Sequence, residues 1–239
     1  MESRCIALPP QLDAAAIAEL ERQLRETLAS GAPVLVLEGV EPGVFCRGLD
    51  LTALASDADA REAVRGFARC LFALTEAARP TLAVVAGDAL GGGLGLAAAC
   101  DLTLATTEAR VGLPEALFGI LPAMIMPALL TRMTPQRARL LALSCVSEEA
   151  TWARDAGLFD RVVGPERLDW ARRRAERELA RAAPGTPGRL RALIATVHGR
   201  PLAEGLEAAT EIAAATFADA DVRRAAQRFI EEGEAPWTA

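Results

Sequence analysis

A chain of 239 residues, 51% of them apolar, can bury a substantial core as one large domain or as a domain with an appendage. A net charge of −6 speaks against a general nucleic-acid binder, and no apolar run is long enough to span a bilayer. The sequence has no Lys, no Tyr and a single His, His198, so a Schiff-base lysine and a phenolic acid are excluded, a zinc site or Ser-His-Asp triad is disfavoured, and proton transfer must rest on carboxylates.

The first residues, MESRCIALPPQLD, show no basic-then-apolar leader pattern, and a cytoplasmic setting is expected. The five cysteines (Cys5, Cys46, Cys70, Cys100, Cys145) have no metal-like spacing and read as reduced thiols. Of the opening segment only RCIAL has strand character. Residues 12–30 place Ile17, Leu20, Leu24 and Leu28 at helical spacing, with Asp13 at the start and Gly31 beyond the end. Pro33 leads into the strand VLVLEG, and the segment from Val44 to Leu51 reads as a loop. A helix over 57–78 follows, with a charged opening and an apolar end, and Pro80 separates it from the strand Leu82–Ala86.

Gly87 and the triplet Gly91-Gly92-Gly93 then form a turn into the apolar helix LGLAAAC, and a further strand runs over Leu102–Ala105. Three short helices are expected at 122–132, 135–143 and 148–156, then a strand over 158–163 and an Arg-rich helix over 166–182. In that helix Glu176 and Glu178 interleave with Arg172-Arg173-Arg174, which favours a solvated face over a phosphate site. A Pro/Gly cluster at 183–188 precedes two further helices, at 188–197 and 201–217, then the segment Asp221–Glu232 and the tail. Strand–helix alternation of this kind indicates an α/β fold with parallel pairing. The breaker cluster divides it into a core, 1–183, and a C-terminal helical region, 184–239.

Two features carry chemistry. Glycines at the turn let backbone approach a ligand, and the first amides of the next helix lack partners and sit at its positive end, which suits an oxygen gaining negative charge. Glu115 stands alone among Leu113, Pro114, Ala116, Leu117 and Phe118, and apolar company raises a carboxylate's pKa toward the range of a general acid or base. Helix-start solvation is the plainer alternative for Glu115. Cys46 has no basic neighbour in sequence and reads as an inert small residue, Asp50 as a helix cap, and His198 as a surface or capping residue, while Arg47 is poised between phosphate binding and plain solvation.

The run AVVAGDALGGGLGLAAACDLTLA with VGLPEALFGILP, and Val44-Phe45-Cys46-Arg47-Gly48-Leu49-Asp50-Leu51 upstream of it, resemble the crotonase (enoyl-CoA hydratase/isomerase) superfamily. The resemblance implies a ββα spiral core. It places the oxyanion amides on Leu49 and Gly92 and the acid/base on Glu115. Cys46, Arg47, Gly48, Gly91, Gly95, Phe118, Pro122, Ala123 and Met124 then fall around the acyl thioester, although Leu121–Pro127 reads equally well as core. The family usually opens with a longer N-terminal hairpin, so this start is abbreviated.

The hydratases of the family carry a second glutamate three residues after the middle glycine, and this chain has Gly95 there. With GGLG, then Glu115 through Pro127, and the ending Glu232-Gly233-Glu234-Ala235-Pro236-Trp237, the chain is similar to the dehydratases of polyketide β-branching cassettes. These act on a 3-hydroxy-3-methylglutaryl group held on an acyl carrier protein. A single-glutamate enoyl-thioester isomerase and a non-catalytic trimeric partner protein are the alternatives. The resemblance further implies a homotrimer, or a hexamer of two trimers, with no metal or redox cofactor, the substrate arriving as a CoA or phosphopantetheine thioester. No nucleic-acid or membrane partner is expected.

Overall fold

The computed structural model describes residues 3–53 and 56–233. Five strands, β1 (Arg4–Leu8), β2 (Leu35–Gly39), β4 (Thr81–Val85), β6 (Leu102–Thr106) and β9 (Arg161–Val163), form one sheet in the order β1-β2-β4-β6-β9, with every pairing parallel. A second sheet in the order β3-β5-β7-β8 is built from β3 (Val44–Cys46), β5 (Asp88–Leu90), β7 (Arg110–Gly112) and β8 (Glu148–Glu149). Its first three strands run parallel and the last antiparallel. Successive passes of the chain, β2 to β3, β4 to β5 and β6 to β7, therefore give one strand to each sheet before a helix begins.

The long strands are apolar without interruption because both faces of the first sheet are covered. Leu35, Leu37, Ala83 and Val85 point into the main core with Ile17, Leu20 and Leu24 of α1 (Ala14–Ala29) and Phe67, Cys70 and Leu74 of α2 (Asp57–Thr75). The alternate residues Val36, Leu82, Val84 and Leu104 face a smaller core closed by Ala171 and Ala175 of α7 (Leu168–Leu179). Asp13 and Ser56 cap α1 and α2 by accepting from Ala16 N–H and Asp59 N–H. The corner between β4 and β5 needs glycine: a Cβ on Gly87 would lie 2.0 Å from the Gly43 carbonyl oxygen, since consecutive spiral passes stack there backbone on backbone.

The α/β architecture and the order of helices agree with the expectations above, and the differences lie at the second sheet and at the bounds of two later elements. The turn read over 87–93 contains β5, and the VGLPE turn begins inside β7. The helix expected at 148–156 starts only at Ala150, because Glu148–Glu149 pair with β7; it is α6 (Ala150–Asp155). The helix expected at 122–132 contracts to α4 (Met126–Leu130), with Pro127 in its first turn, and α5 (Pro135–Ser144) follows. The strand expected from Leu158 begins at Arg161, with Leu158 and Phe159 buried in the preceding turn.

Arg174 is exposed and pairs with Glu178, as expected of a solvated face, whereas Arg172 is half-buried and pairs with Glu176 and with Glu38 of β2. The last helices are α8 (Thr186–Val197), α9 (Leu202–Ala218) and α10 (Ala220–Glu232), and α9 and α10 bury no residue. Arg191 of α8 ties this region to the core, donating to the Ala77 carbonyl at 2.7 Å and pairing with Asp101 at 2.7 Å. The tail residues 234–237, part of the resemblance, lie outside the described residues. Among the described residues no helix is long and apolar enough to cross a membrane.

Candidate active site

Parallel pairing puts the carboxyl ends of β3, β5 and β7 side by side, and the chain leaves each strand into a segment of one cavity. The segment after β3 carries Arg47, Gly48 and Leu49. The turn after β5 carries Gly91 and Gly92, which open α3 (Gly92–Ala99). The short 3₁₀ turn after β7 (Pro114–Phe118) carries Glu115. Ligands of parallel sheets characteristically sit at this end of the strands.

Backbone contact fixes the geometry. Gly48 has φ +86°, and a Cβ there would lie 2.5 Å from Gly92 N, so the two segments touch with no room for a side chain. Gly91 has φ +50° and ψ −123°, donates its N–H to the Gly112 carbonyl at 2.9 Å, and would place a Cβ 2.8 Å from Glu115 Oε1. The Glu115 carboxylate therefore lies directly against the glycine turn.

Residues Pro10–Leu12 clamp the segment after β3 from behind: Arg47 N–H donates to the Pro10 carbonyl, Leu12 N–H to the Gly48 carbonyl, and Asp50 N–H to the Leu12 carbonyl. In this parallel bridge the Leu49 N–H is turned away from Leu12. Gly92 is the first residue of α3, so its N–H has no intrahelical acceptor. Neither amide has an acceptor among the described residues.

The cavity is small, about 160 Å³, and mainly apolar, with Arg47 and Glu115 as its charged lining residues. Of the residues picked out from sequence it gathers Arg47, Leu49, Gly91, Gly92, Glu115, Phe118, Pro122, Ala123 and Met124. Cys46, Gly48 and Gly95 do not line it. Cys46 and Gly95 are fully enclosed, and Gly48 serves through its backbone. Leu121 and Ile125, from the stretch Leu121–Pro127 read as either pocket or core, line the cavity as well, while reading the sequence missed Leu51, Val64 and Phe67, on and before α2, and Pro114 and Ile120. Val64 and Phe67 share a helix face, a signal that marked them as apolar but not as facing a ligand.

Glu115 Oε2 is buried and has no hydrogen-bond partner. Burial raises the Glu115 pKa above the ordinary carboxylate value, and its own backbone N–H offsets part of that effect. The apolar surroundings are those expected only in part: Leu113 is buried and Pro114 and Phe118 line the cavity, but Leu117 and Phe118 are each 68% exposed and much of the wall comes from Val64, Phe67 and Ile125. The Cys46 thiol accepts from Gly48 N–H at 3.4 Å and is pushed up to about 11 by burial, so it is protonated and unreactive at neutral pH. Asp50 accepts from the Thr52 N–H and hydroxyl, a capping role. His198 is exposed at the end of α8. Arg47 is held at the cavity rim by Asp88 at 3.3 Å.

The space beside Gly95 is occupied. A Cβ on Gly95 would lie 2.2 Å from Ile125 Cγ2 and 2.8 Å from Ile125 Cβ.

The family model described as enoyl-CoA hydratase/isomerase matches residues 10–239. The chain is 32% identical over 183 residues to a carnitinyl-CoA dehydratase of Salmonella arizonae, covering 72% of this chain and 67% of that one. It is 38% identical over 138 residues to the enoyl-CoA isomerase/hydratase fer4 of Mycosarcoma maydis, covering 54% of this chain but about half (48%) of that protein's length. The crystal structure of an enoyl-CoA hydratase/isomerase from Marinobacter aquaeolei superposes with a TM-score of 0.86 at 26% identity, over 99% of this chain and 96% of that one. With the spiral of paired strands and the glycine turn facing a lone carboxylate, these matches show that the chain belongs to the enoyl-CoA hydratase/isomerase family.

Proposed function

We propose that this chain is an enzyme that stabilises the enolate of an acyl thioester with the Leu49 and Gly92 amides while Glu115 takes and returns the α-proton. The observation that carries this reading is the meeting, in one apolar cavity, of two amides without acceptors and one buried carboxylate oxygen without a donor. Amide donors fixed in place before the reaction stabilise an oxyanion more strongly in a dry site than in water, and a carboxyl with a raised pKa is a better match for proton transfer near neutral pH.

The reaction we favour is dehydration of a 3-hydroxyacyl thioester, of the 3-hydroxy-3-methylglutaryl kind, on an acyl carrier protein in polyketide biosynthesis. Support comes from the Gly95-for-glutamate departure and the Glu115–Pro127 motif. Enoyl-thioester isomerisation is the second reading, favoured by the single carboxylate in the cavity, since a proton shift needs only one shuttle. A non-catalytic partner protein would not need these groups assembled. The proposed steps call for no metal or redox cofactor. Partners would be the carrier protein or CoA and further copies of this chain, in the cytoplasm.

Mass spectrometry of carrier-bound 3-hydroxy-3-methylglutaryl after incubation tests the reaction. Loss of the mass of one water is expected, and an unchanged acyl group would overturn the dehydration reading.

A further inference from the structure

Gly92 and Gly95 are one helical turn apart on α3 and share a face, so a side chain at 95 would project beside the oxyanion amide into the cavity wall. That place is already taken. Ile125 is 3% exposed and lines the cavity, and its Cγ2 and Cβ stand 2.2 and 2.8 Å from where a Cβ on Gly95 would be. Neither atom is the free end of a flexible chain. Ile is branched at Cβ, and the Ile125 backbone is fixed at the start of α4, where its carbonyl accepts from Leu129 N–H at 3.1 Å. A longer side chain at 95 cannot enter unless Ile125 leaves.

We infer that Ile125 is a specificity-determining residue: it fills the place on α3, one turn from Gly92, where a second acid–base carboxylate would stand if carried at position 95, and so leaves proton traffic at the bound thioester to Glu115. The inference rests on the proposed role of Glu115 and deepens it. With an apolar wall opposite, dehydration must use one carboxyl twice. Glu115 breaks the α-C–H bond, and the enolate expels the β-hydroxyl as the C=C bond forms. The same proton then passes from Glu115 to the departing oxygen, so that one water leaves and the carboxylate is regenerated. Isomerisation by the same route returns the proton to another carbon. Activation of a free water by a carboxylate at position 95 is sterically closed.

The test is a double-variant cycle between Gly95→Glu and Ile125→Gly, read by thermal melting and by hydration of crotonyl-CoA. Glycine is accepted at a helix start, and removing the Ile125 side chain clears both obstructing atoms. Gly95→Glu alone should lower Tm by about 2–10 °C and hydrate no faster than the parent. Adding Ile125→Gly should recover Tm relative to the sum of the single changes and raise hydration at least about 10²-fold over Gly95→Glu.

Equal melting of Gly95→Glu and the parent would overturn the inference, and so would hydration at the same rate whether or not Ile125 is replaced. Coupling in Tm without any gain of hydration would also overturn it, because Ile125 would then be packing and nothing more. Failure of the underlying reading shows separately, as parent turnover that survives Glu115→Gln.

Discussion

Glu115 has a buried oxygen that meets no donor among the described residues, an arrangement that costs stability and is retained where chemistry uses it. Glu115→Gln keeps the shape and removes the base. Turnover of an acyl thioester should fall about 10²–10⁴-fold with little change in binding, measured as kcat against the dissociation constant of an unreactive thioester. Because burial raises the Glu115 pKa, the acid limb of kcat/KM should lie above the ordinary carboxylate value. Stability follows the opposite course. A carboxyl whose folded pKa is raised favours the fold below its unfolded pKa and loses that contribution as pH rises through the folded value. The Tm of Glu115→Gln relative to the parent should therefore climb as pH rises above the ordinary carboxylate pKa of about 4, and a flat difference would contradict the burial. At this scale the GLPE turn was readable in sequence because glycine, proline and a lone acid occur together. The contact of Ile125 with Gly95 was not, because residues thirty apart in the chain meet only through the folding of α4 over α3.

At the scale of elements, α3 is the part that must not move, and it is fastened at both ends. At its start Gly91 N–H is bonded to Gly112. At its end Arg132, 11% exposed, donates to the carbonyls of Ala98 and Cys100 and pairs with Asp160 at 3.0 Å. Arg132→Ala would remove the guanidinium from those carbonyls and from Asp160, which keeps Thr103 N–H as a donor, and a loss of about 1–3 kcal/mol is expected in urea unfolding. Arg132→Lys should rescue only part of that loss, since an ammonium cannot reach every acceptor that the guanidinium fork spans. The long strands and helices were readable from apolar runs and helical spacing. The second sheet was hidden, because strands of two or three residues such as β5 and β8 are too short to show a period and their pairing is decided by tertiary register. Yet this sheet carries the site, since β3, β5 and β7 bring Leu49, Gly92 and Glu115 together.

Over the whole molecule, the core is complete around the two sheets while the C-terminal helices are bare. Leu202, Leu206, Phe217, Phe229 and Ile230 are all exposed, between 51% and 82%. An apolar surface of this kind calls for a cover, and the proposed trimer or hexamer supplies one. Light scattering should give the mass of three or six chains, and a stable monomer with full turnover would contradict it. The sequence showed these helices as apolar and alanine-rich but could not show that nothing among the described residues covers them. Chelators should leave turnover unchanged, because the proposed steps run on amides and a carboxylate, and strong inhibition by them would contradict the mechanism. The most direct measurement is exchange of the α-proton of butyryl-CoA in heavy water, followed by mass spectrometry, for the parent and for Glu115→Gln. Steady gain of deuterium with the parent and at least about 10²-fold slower gain with the variant is the predicted result; equal rates in the two proteins would show that Glu115 is not the base.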